Sequence, residues 1–157
     1  MFEGRYDHAL DAKGRTMVPK EFRDHLAQIR ERGLRITRGA PDARQLEVRT
    51  ESSFAAYRDF LNGLPEDASL RKYKRYYVQN AISLELDANG RIVIPARLRQ
   101  WASLGEKVTF VGLDAERFEI WRPEVFDADD DFVLANWESL RATLAPLEKS
   151  SGHTEEG

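Results

Sequence analysis

The feature that most constrains this chain is an internal repeat. Residues 11–23 have the sequence DAKGRTMVPKEFR and residues 87–99 have DANGRIVIPARLR, an offset of 76 residues. Six of the thirteen positions are identical, and three more are apolar in both segments. Downstream, residues 46–48 (LEV) correspond to residues 118–120 (FEI) at an offset of 72. Such self-similarity predicts two copies of one small unit, with the difference in length lying in loops.

Composition is that of a small globular protein. The 157 residues are enough for one domain or two small intertwined ones, and 41% of them are hydrophobic. No cysteine is present, which excludes disulfides, thiolate zinc sites and cysteine nucleophiles. The three histidines are scattered, so we expect no metal and no cofactor. Because no apolar run could span a membrane and the first residues do not resemble a signal peptide, we expect a cytoplasmic protein.

The charges are distributed unevenly. The net charge is −3, but residues 1–99 contain 19 basic and 14 acidic residues, whereas residues 100–157 contain 5 and 13. A local basic surface matters more for phosphate binding than the total charge does. A solvated acidic C-terminal region would explain the asymmetry equally well, so charge alone leaves nucleic-acid binding open.

Each repeat is predicted to form a hairpin, a short helix and a second hairpin. Alternating apolar residues indicate half-buried strands, Asp and Gly favour turns, and Pro19 and Pro95 are suited to helix starts. The first copy is predicted to have strands at 6–10, 15–18, 34–37 and 46–49. Its predicted helices begin at Pro19 and lie at 54–61 and 67–80. The helix from Pro19 is expected to have Phe22, Leu26 and Ile29 on one face. The second copy is predicted to have strands at 82–86, 91–94, around Val108 and Phe110 and at 118–121, and helices at 95–102 and 132–144.

These elements predict an α+β fold that is rich in β-structure. One unit has a small core, so two units are expected to share their strands as duplicated half-barrels around a pseudo-two-fold axis, with short flanking helices. The predicted organisation is a first repeat at 1–80, a second at 81–147 and a disordered tail at 148–157.

Both repeats carry a family resemblance. Met1-Phe2-x-Gly4, followed by residues 11–15 (DAKGR), Pro19 and Arg23, resembles the start of MraZ proteins. The second half is similar to them as well, from residue 87 through 118–121 (FEIW). The resemblance covers residues 1–145, with small departures: Phe126 stands where Trp is expected and Asn89 where Gln is commoner.

The resemblance implies a fold and a function. MraZ proteins are DNA-binding transcriptional regulators related to the AbrB-like swapped-hairpin fold, and they form closed rings of eight or twelve subunits. They act at repeated elements upstream of the bacterial division and cell-wall gene cluster. The family's DxxxR motif corresponds here to Asp11 and Arg15 and to Asp87 and Arg91. A nucleoid-associated protein that binds double-stranded DNA, with no membrane and no small-molecule substrate, is therefore expected.

The repeated turns have suitable chemistry for DNA. An arginine offers a planar fork to phosphate oxygens or to a guanine edge, and neighbouring lysines could neutralise phosphates. The aspartate is expected to orient the arginine or to cap the turn. The predicted DNA-binding residues are Asp11, Lys13, Arg15, Lys20, Asp87, Asn89, Arg91 and Arg97.

Structural explanations remain open for several of these residues. Each Asp–Arg pair could be an exposed salt bridge that closes a turn and contributes about 0–1 kcal/mol. Arg23 and Arg99 are expected to be structural and to pair with acids. The basic and aromatic segment 71–77 (RKYKRYY) could stack on single strands, but a bridging helix with buried tyrosines is favoured. The three tryptophans, Trp101, Trp121 and Trp137, are expected in a core or an interface.

The sequence disfavours two other functions. An antitoxin-like module that binds a protein partner is disfavoured by the short acidic tail. An enzyme that uses Asp11 and Asp87 as paired carboxylates is disfavoured because neither a nucleophile–base set nor a phosphate-binding glycine-rich loop accompanies them.

Overall fold

The computed structural model describes residues 1–152, which divide into two compact units. The first unit is Met1–Pro123 and contains every strand of the described chain; the second begins at Glu124. The fold is α+β with antiparallel strands, as predicted. The strands are β1 Arg5–Ala9, β2 Arg15–Met17, β3 Gly33–Arg38, β4 Leu46–Thr50, β5 Ile82–Glu85, β6 Arg91–Val93, β7 Lys107–Gly112 and β8 Arg117–Trp121.

Six strands from both repeats form one sheet in the order β1-β7-β8-β4-β3-β5. In β4 alternate residues face the core, since Leu46 and Val48 are buried while Glu47 and Arg49 are partly exposed. The other two strands, β2 and β6, pair with each other as a separate two-stranded ribbon. We call this element the β2–β6 ribbon.

The helices begin and end at residues whose chemistry suits those positions. The Thr50 hydroxyl accepts from the Ser53 amide at the start of α2, and the Asp67 carboxylate accepts from the Leu70 amide at the start of α3. Pro19 and Pro95 immediately precede α1 and α4. The helices are α1 Lys20–Gln28, α2 Glu51–Asn62, α3 Ala68–Tyr77, α4 Ala96–Trp101, α5 Pro123–Ala135 and α6 Trp137–Ser150.

One hydrophobic core combines side chains from both repeats. Phe22 lies at its centre, with its ring centroid 5.2 Å from that of Phe2 and 5.0 Å from that of Phe118. Leu98 and Ala102 from the second repeat are also buried. Since each fully buried side chain of this size contributes about 1.5–3 kcal/mol, neither repeat could bury enough surface by itself.

The strand pairing differs from two ordinary hairpins. β1 pairs with β7 and β5 pairs with β3, so the two strands that flank each repeated turn enter different sheets. Only the isolated bridge Leu10↔Thr16 continues the ladder beyond the first turn. The prediction of a hairpin was therefore right for the turns and wrong for the pairing of the strands beyond them.

Three further predictions need correction. Ile29 is 40% exposed and lies at the end of α1, whereas His25 occupies the inner face. The predicted last helix is two helices, α5 and α6, and the acidic residues 127–131 lie inside α5 rather than before it. Residues 148–150 belong to α6, so this part of the predicted disordered tail is helical; residues 153–157 lie outside the described residues.

The second unit consists of α5 and α6, and neither helix contains a buried residue. Trp137 is 53% exposed, so it is not a core residue, and its role in an interface stays a prediction. Trp121, in contrast, is buried and Trp101 is partly buried against the core of the first unit. Within residues 1–152, no helix is both long and apolar enough to cross a membrane.

Candidate nucleic-acid interface

The first repeated turn is built around the Asp11 carboxylate. Its Oδ1 accepts hydrogen bonds from the amides of Lys13 and Arg15, at 3.0 and 2.8 Å. Its Oδ2 accepts from the Arg15 Nε at 2.7 Å. The main chain closes the same turn, because the Asp11 amide donates to the Arg15 carbonyl and the Gly14 amide donates to the Asp11 carbonyl. One carboxylate thus fixes both the turn and the arginine that follows it.

The second turn repeats this arrangement bond for bond. The Asp87 Oδ1 accepts from the amides of Asn89 and Arg91, at 2.8 and 3.0 Å, and its Oδ2 accepts from the Arg91 Nε at 3.0 Å. In both turns Nε is the only guanidinium nitrogen that donates to the carboxylate. Among residues 1–152, the terminal nitrogens of Arg15 and Arg91 have no hydrogen-bond partner, so these edges of the guanidinium groups are available to a ligand.

These hydrogen bonds stabilise the charged form of each aspartate. The pKa of Asp11 is lowered, first by the hydrogen bond from the Arg15 amide and then by that from its side chain. The pKa of Asp87 is lowered, first by the hydrogen bond from the Arg91 amide. Both carboxylates are therefore ionised at neutral pH and able to hold the arginines.

The glycines of the two turns have conformations that other residues rarely adopt. Gly14 has φ of +84° and Gly90 has φ of +81°. A Cβ at Gly14 would lie 2.7 Å from the Arg99 Nε, and a Cβ at Gly90 would lie 2.6 Å from the Arg23 Cδ. Each turn thus rests on an arginine of the other repeat, and both constraints demand glycine.

Arg23 and Arg99 have the structural role that we predicted, but their partners differ from the prediction. The Arg23 Nε donates to the Val18 carbonyl at 3.0 Å, and the Arg99 Nε donates to the Ile94 carbonyl at 2.9 Å. Main-chain carbonyls, rather than acids, thus bind these side chains. The main chain also links the two repeats. The Val18 amide donates to the Gly90 carbonyl, and the Ile94 amide donates to the Gly14 carbonyl.

The β2–β6 ribbon brings the two arginines together on one face. Arg15 lies opposite Val93 and Met17 lies opposite Arg91, whereas the central pair Thr16 and Ile92 is buried on the other face. The usual strand spacing and rise put the Cα atoms of Arg15 and Arg91 about 8 Å apart. The side chains of Arg15 and Arg91 are 38% and 34% exposed. The face thus carries two partly exposed arginines, one from each end pair of the ribbon, and each is held by the aspartate of its own turn.

The other predicted DNA-binding residues differ in their surroundings. Lys13 and Asn89 occupy equivalent exposed positions in the two turns. Lys20 is paired with Asp24 at 2.7 Å, which raises the pKa of the lysine. The Arg97 Nη2 donates to the Asn80 Oδ1 at 3.4 Å. Lys13 and Asn89 are thus exposed on the two turns, whereas Lys20 and Arg97 each have a side-chain partner.

A third turn of the same chemistry escaped the sequence analysis. The Asp114 Oδ1 accepts from the amides of Glu116 and Arg117, both at 2.8 Å, and its Oδ2 accepts from the Arg117 Nε at 2.9 Å. Burial raises the pKa of Asp114, but these hydrogen bonds outweigh it and the net pKa is lowered. The spacing is three residues rather than four, so the repeated motif does not reveal it. At the 72-residue offset Asp42 matches Asp114, but Gln45 stands where Arg117 would be.

The segment 71–77 lies in α3 and packs within the first unit. Tyr77 is buried, and its backbone carbonyl accepts from the Thr37 hydroxyl at 2.7 Å. The Arg38 guanidinium lies over the Tyr76 ring, with its Cζ 4.1 Å from the ring centroid. Tyr73 is 40% exposed but stacks on Tyr77. The favoured structural explanation is thus right for Tyr77 and incomplete for Tyr73.

The described chain matches one protein family over both repeats. The model of the family described as "MraZ protein, putative antitoxin-like" matches residues 1–68 and 78–129. The chain belongs to the MraZ family. The resemblance inferred from the repeated turns is confirmed, and the match includes every residue of the two turns and of the β2–β6 ribbon.

Relatives in this family are similar along most of their length. The protein named transcriptional regulator MraZ of Lactiplantibacillus plantarum is 36% identical, over 92% of this chain and 98% of its own length. The protein of the same name from Lachnoclostridium phytofermentans is 36% identical over 82% of this chain and 86% of its own. The protein of this name from Saccharophagus degradans is 36% identical over 83% of this chain and 91% of its own length.

Proposed function

We propose that this protein is a transcriptional regulator that binds double-stranded DNA with the exposed face of the β2–β6 ribbon. The observation that carries the proposal is the pair of guanidinium groups on one face, each fixed through Nε and open at its terminal nitrogens. The names of the relatives support regulation of transcription. No step of this function requires the protein to act as an enzyme.

The dimensions of the ribbon suit the DNA major groove. That groove is about 12 Å wide and accommodates a two-stranded antiparallel ribbon. The terminal nitrogens of an arginine can bind O6 and N7 of guanine, whereas Lys13 at the edge of the first turn suits a phosphate. Asp11 and Asp87 hold the arginines through Nε, so less side-chain entropy is lost on binding.

The finer architecture is part of the same proposal. The reciprocal contacts of Arg23 with the second turn and of Arg99 with the first support two swapped hairpins related by a pseudo-two-fold axis. The family resemblance supports assembly into a closed ring of eight or twelve subunits at repeated elements upstream of the division and cell-wall genes. A ring that presents many ribbons would gain avidity only if the DNA repeats match the subunit spacing.

The decisive experiment compares arginines of equal chemistry. Fluorescence anisotropy would measure binding of the wild type, an Arg15→Ala/Arg91→Ala variant and an Arg117→Ala variant to the duplex upstream of the protein's own gene, across a salt series. Each bidentate contact contributes about 1–3 kcal/mol, so the double variant should bind at least about thirtyfold more weakly. Arg117→Ala should bind like the wild type. Circular dichroism and light scattering would check that fold and assembly are unchanged.

Equal operator affinity for the double variant and the wild type would contradict the proposal. The salt series separates the two kinds of contact. The slope of log K against log salt is about −0.9 for each phosphate neutralised, whereas loss of a base contact lowers affinity with little change in slope.

A protein-binding function of the antitoxin type is the second candidate. The observation in its favour is the exposure of large apolar side chains on α5 and α6, including Phe132 at 60%, Leu134 at 70% and Leu147 at 62%. Purification from native extract would distinguish the candidates. A stoichiometric protein partner without DNA would favour this function over the first.

A further inference from the structure

Val93 is an exposed aliphatic residue at the end of β6, on the face of the β2–β6 ribbon that carries Arg15 and Arg91. Its side chain is 51% exposed, although its neighbours in the chain, Ile92 and Ile94, are fully buried. Single exposed apolar residues are common on protein surfaces, so exposure alone has no functional meaning. The position of Val93 in the ribbon is what gives it significance.

Val93 lies directly opposite Arg15 in the β2–β6 ribbon. Side chains of directly opposed residues lie on the same face, with Cβ atoms about 5 Å apart. A ligand that binds this face beside Arg15 therefore also meets the exposed side chain of Val93. Met17, the equivalent residue of the first repeat, lies opposite Arg91 but is partly buried, so the two halves of the face differ.

The base edges in the major groove include one apolar group. Thymine presents its C5 methyl there, whereas guanine presents the O6 and N7 acceptors that suit arginine. A short, branched side chain beside an arginine matches a thymine that neighbours a guanine. Val93 is also restricted at χ1, so little side-chain freedom is lost when it makes this contact.

We infer that Val93 contacts the C5 methyl group of a thymine adjacent to the base bound by Arg15. The inference rests on the proposed function and adds a specificity-determining residue to it. Met17 makes a weaker apolar contact of this kind because less of its side chain is exposed. The ribbon therefore discriminates thymine more strongly in the half of its site that contains Val93.

Uracil substitution in the DNA tests this contact without disturbing hydrogen bonds. The probe is the duplex that the wild-type protein selects from a random pool, resynthesised with uracil in place of each thymine in turn. Loss of one methyl contact should lower wild-type affinity about fourfold at one position. Val93→Ala should bind the thymine duplex about fourfold more weakly and should no longer distinguish thymine from uracil at that position.

Matched variants make each outcome decisive. Met17→Ala should keep the wild-type preference for thymine at the position assigned to Val93. If Val93→Ala proves less stable in thermal unfolding, Val93→Ser, which also removes both methyl groups, provides the second measurement. Three results would overturn the inference. The alanine and serine variants could keep the full preference for thymine over uracil, the wild type could show no such preference, or Val93→Ala could dissociate the assembly. None of these results would contradict the proposed function, which the Arg15→Ala/Arg91→Ala variant tests separately.

Discussion

The turns at residues 11–15 and 87–91 and the turn at residues 114–117 hold an arginine in nearly the same way. The distances from Nε to the carboxylate are 2.7, 3.0 and 2.9 Å, and the arginine side chains are 38%, 34% and 37% exposed. Their surroundings differ. The first two turns meet in the β2–β6 ribbon, whereas the third is bound by other parts of the first unit.

The contacts of the third turn indicate a structural role. The Asp114 carbonyl accepts from the Phe2 amide at 2.8 Å, and the Ala115 carbonyl accepts from the His25 Nε2 at 2.7 Å. An Asp–Arg pair on a turn is therefore ordinary hairpin chemistry. What distinguishes the repeated turns is that two arginines share one exposed face, and four experiments can test how far this difference extends.

The largest expected effect concerns the glycines on which the repeated turns depend. Gly14→Ala and Gly90→Ala should each lower the free energy of unfolding by about 2–3 kcal/mol, because φ is positive and a Cβ would displace Arg99 or Arg23. Urea unfolding would measure the change. Gly105→Ala is the control, since no atom lies within 4 Å of the added Cβ. Equal stability of all three variants would mean that the turns tolerate another conformation.

The next effect separates orientation from charge. Asp11→Asn and Asp87→Asn keep an oxygen for the turn amides but remove the charged partner of the arginine. The ratio of operator affinity to affinity for a scrambled duplex should fall about tenfold, the effect of one charged hydrogen bond. Asp114→Asn should leave this ratio unchanged. An equal fall in all three variants would show that the third turn also acts on DNA.

A smaller effect should distinguish the two repeated turns from each other. Lys13 and Asn89 occupy the same position, but only the lysine can neutralise a phosphate. Lys13→Asn should make the negative slope of log K against log salt shallower by about 0.9, and Asn89→Lys should make it steeper by the same amount. Titration of binding at four salt concentrations would measure both slopes. Unchanged slopes would place these side chains away from the DNA backbone.

The smallest effect is on titration of the aspartates. NMR of the side-chain carboxyl carbons should give Asp11 and Asp87 a pKa below the usual value, because hydrogen bonds from the turn favour the charged form. This contribution to stability is present above the ordinary pKa of aspartate and is lost as the pH falls through the lowered one. In Arg15→Gln the pKa of Asp11 should rise while that of Asp87 stays low. If the pKa of Asp11 does not rise in this variant, the main-chain amides account for the whole lowering of its pKa.

Local chemistry made the turns predictable from the sequence. Asp11 and Arg15 are four residues apart, and the glycine between them fixes where the chain reverses, so their contact needs no knowledge of the rest of the fold. Pro19 and Pro95 gave the starts of α1 and α4 for the same reason. The alternation in β3, β4, β7 and β8 was likewise sufficient to predict strands with buried faces.

Long-range contacts were not predictable in this way. The repeat predicts that the two copies share strands, but no local pattern identifies β2 and β6 as partners or shows that Arg23 donates to a carbonyl rather than to an acid. The start of α5 was missed because acidic residues 127–131 resemble a loop, although acids are tolerated on an exposed helix. Arg117 was missed because its spacing from Asp114 differs by one residue from the repeated motif.

The support of each turn by an arginine of the other repeat has a consequence for divergence. In a symmetric pair of separate identical chains, one mutation would alter both turns together and would double its cost. Here the two turns are encoded separately, so lysine at one and asparagine at the other can coexist on a common support. Under the proposed function, the chain can thus acquire an asymmetric DNA preference one substitution at a time.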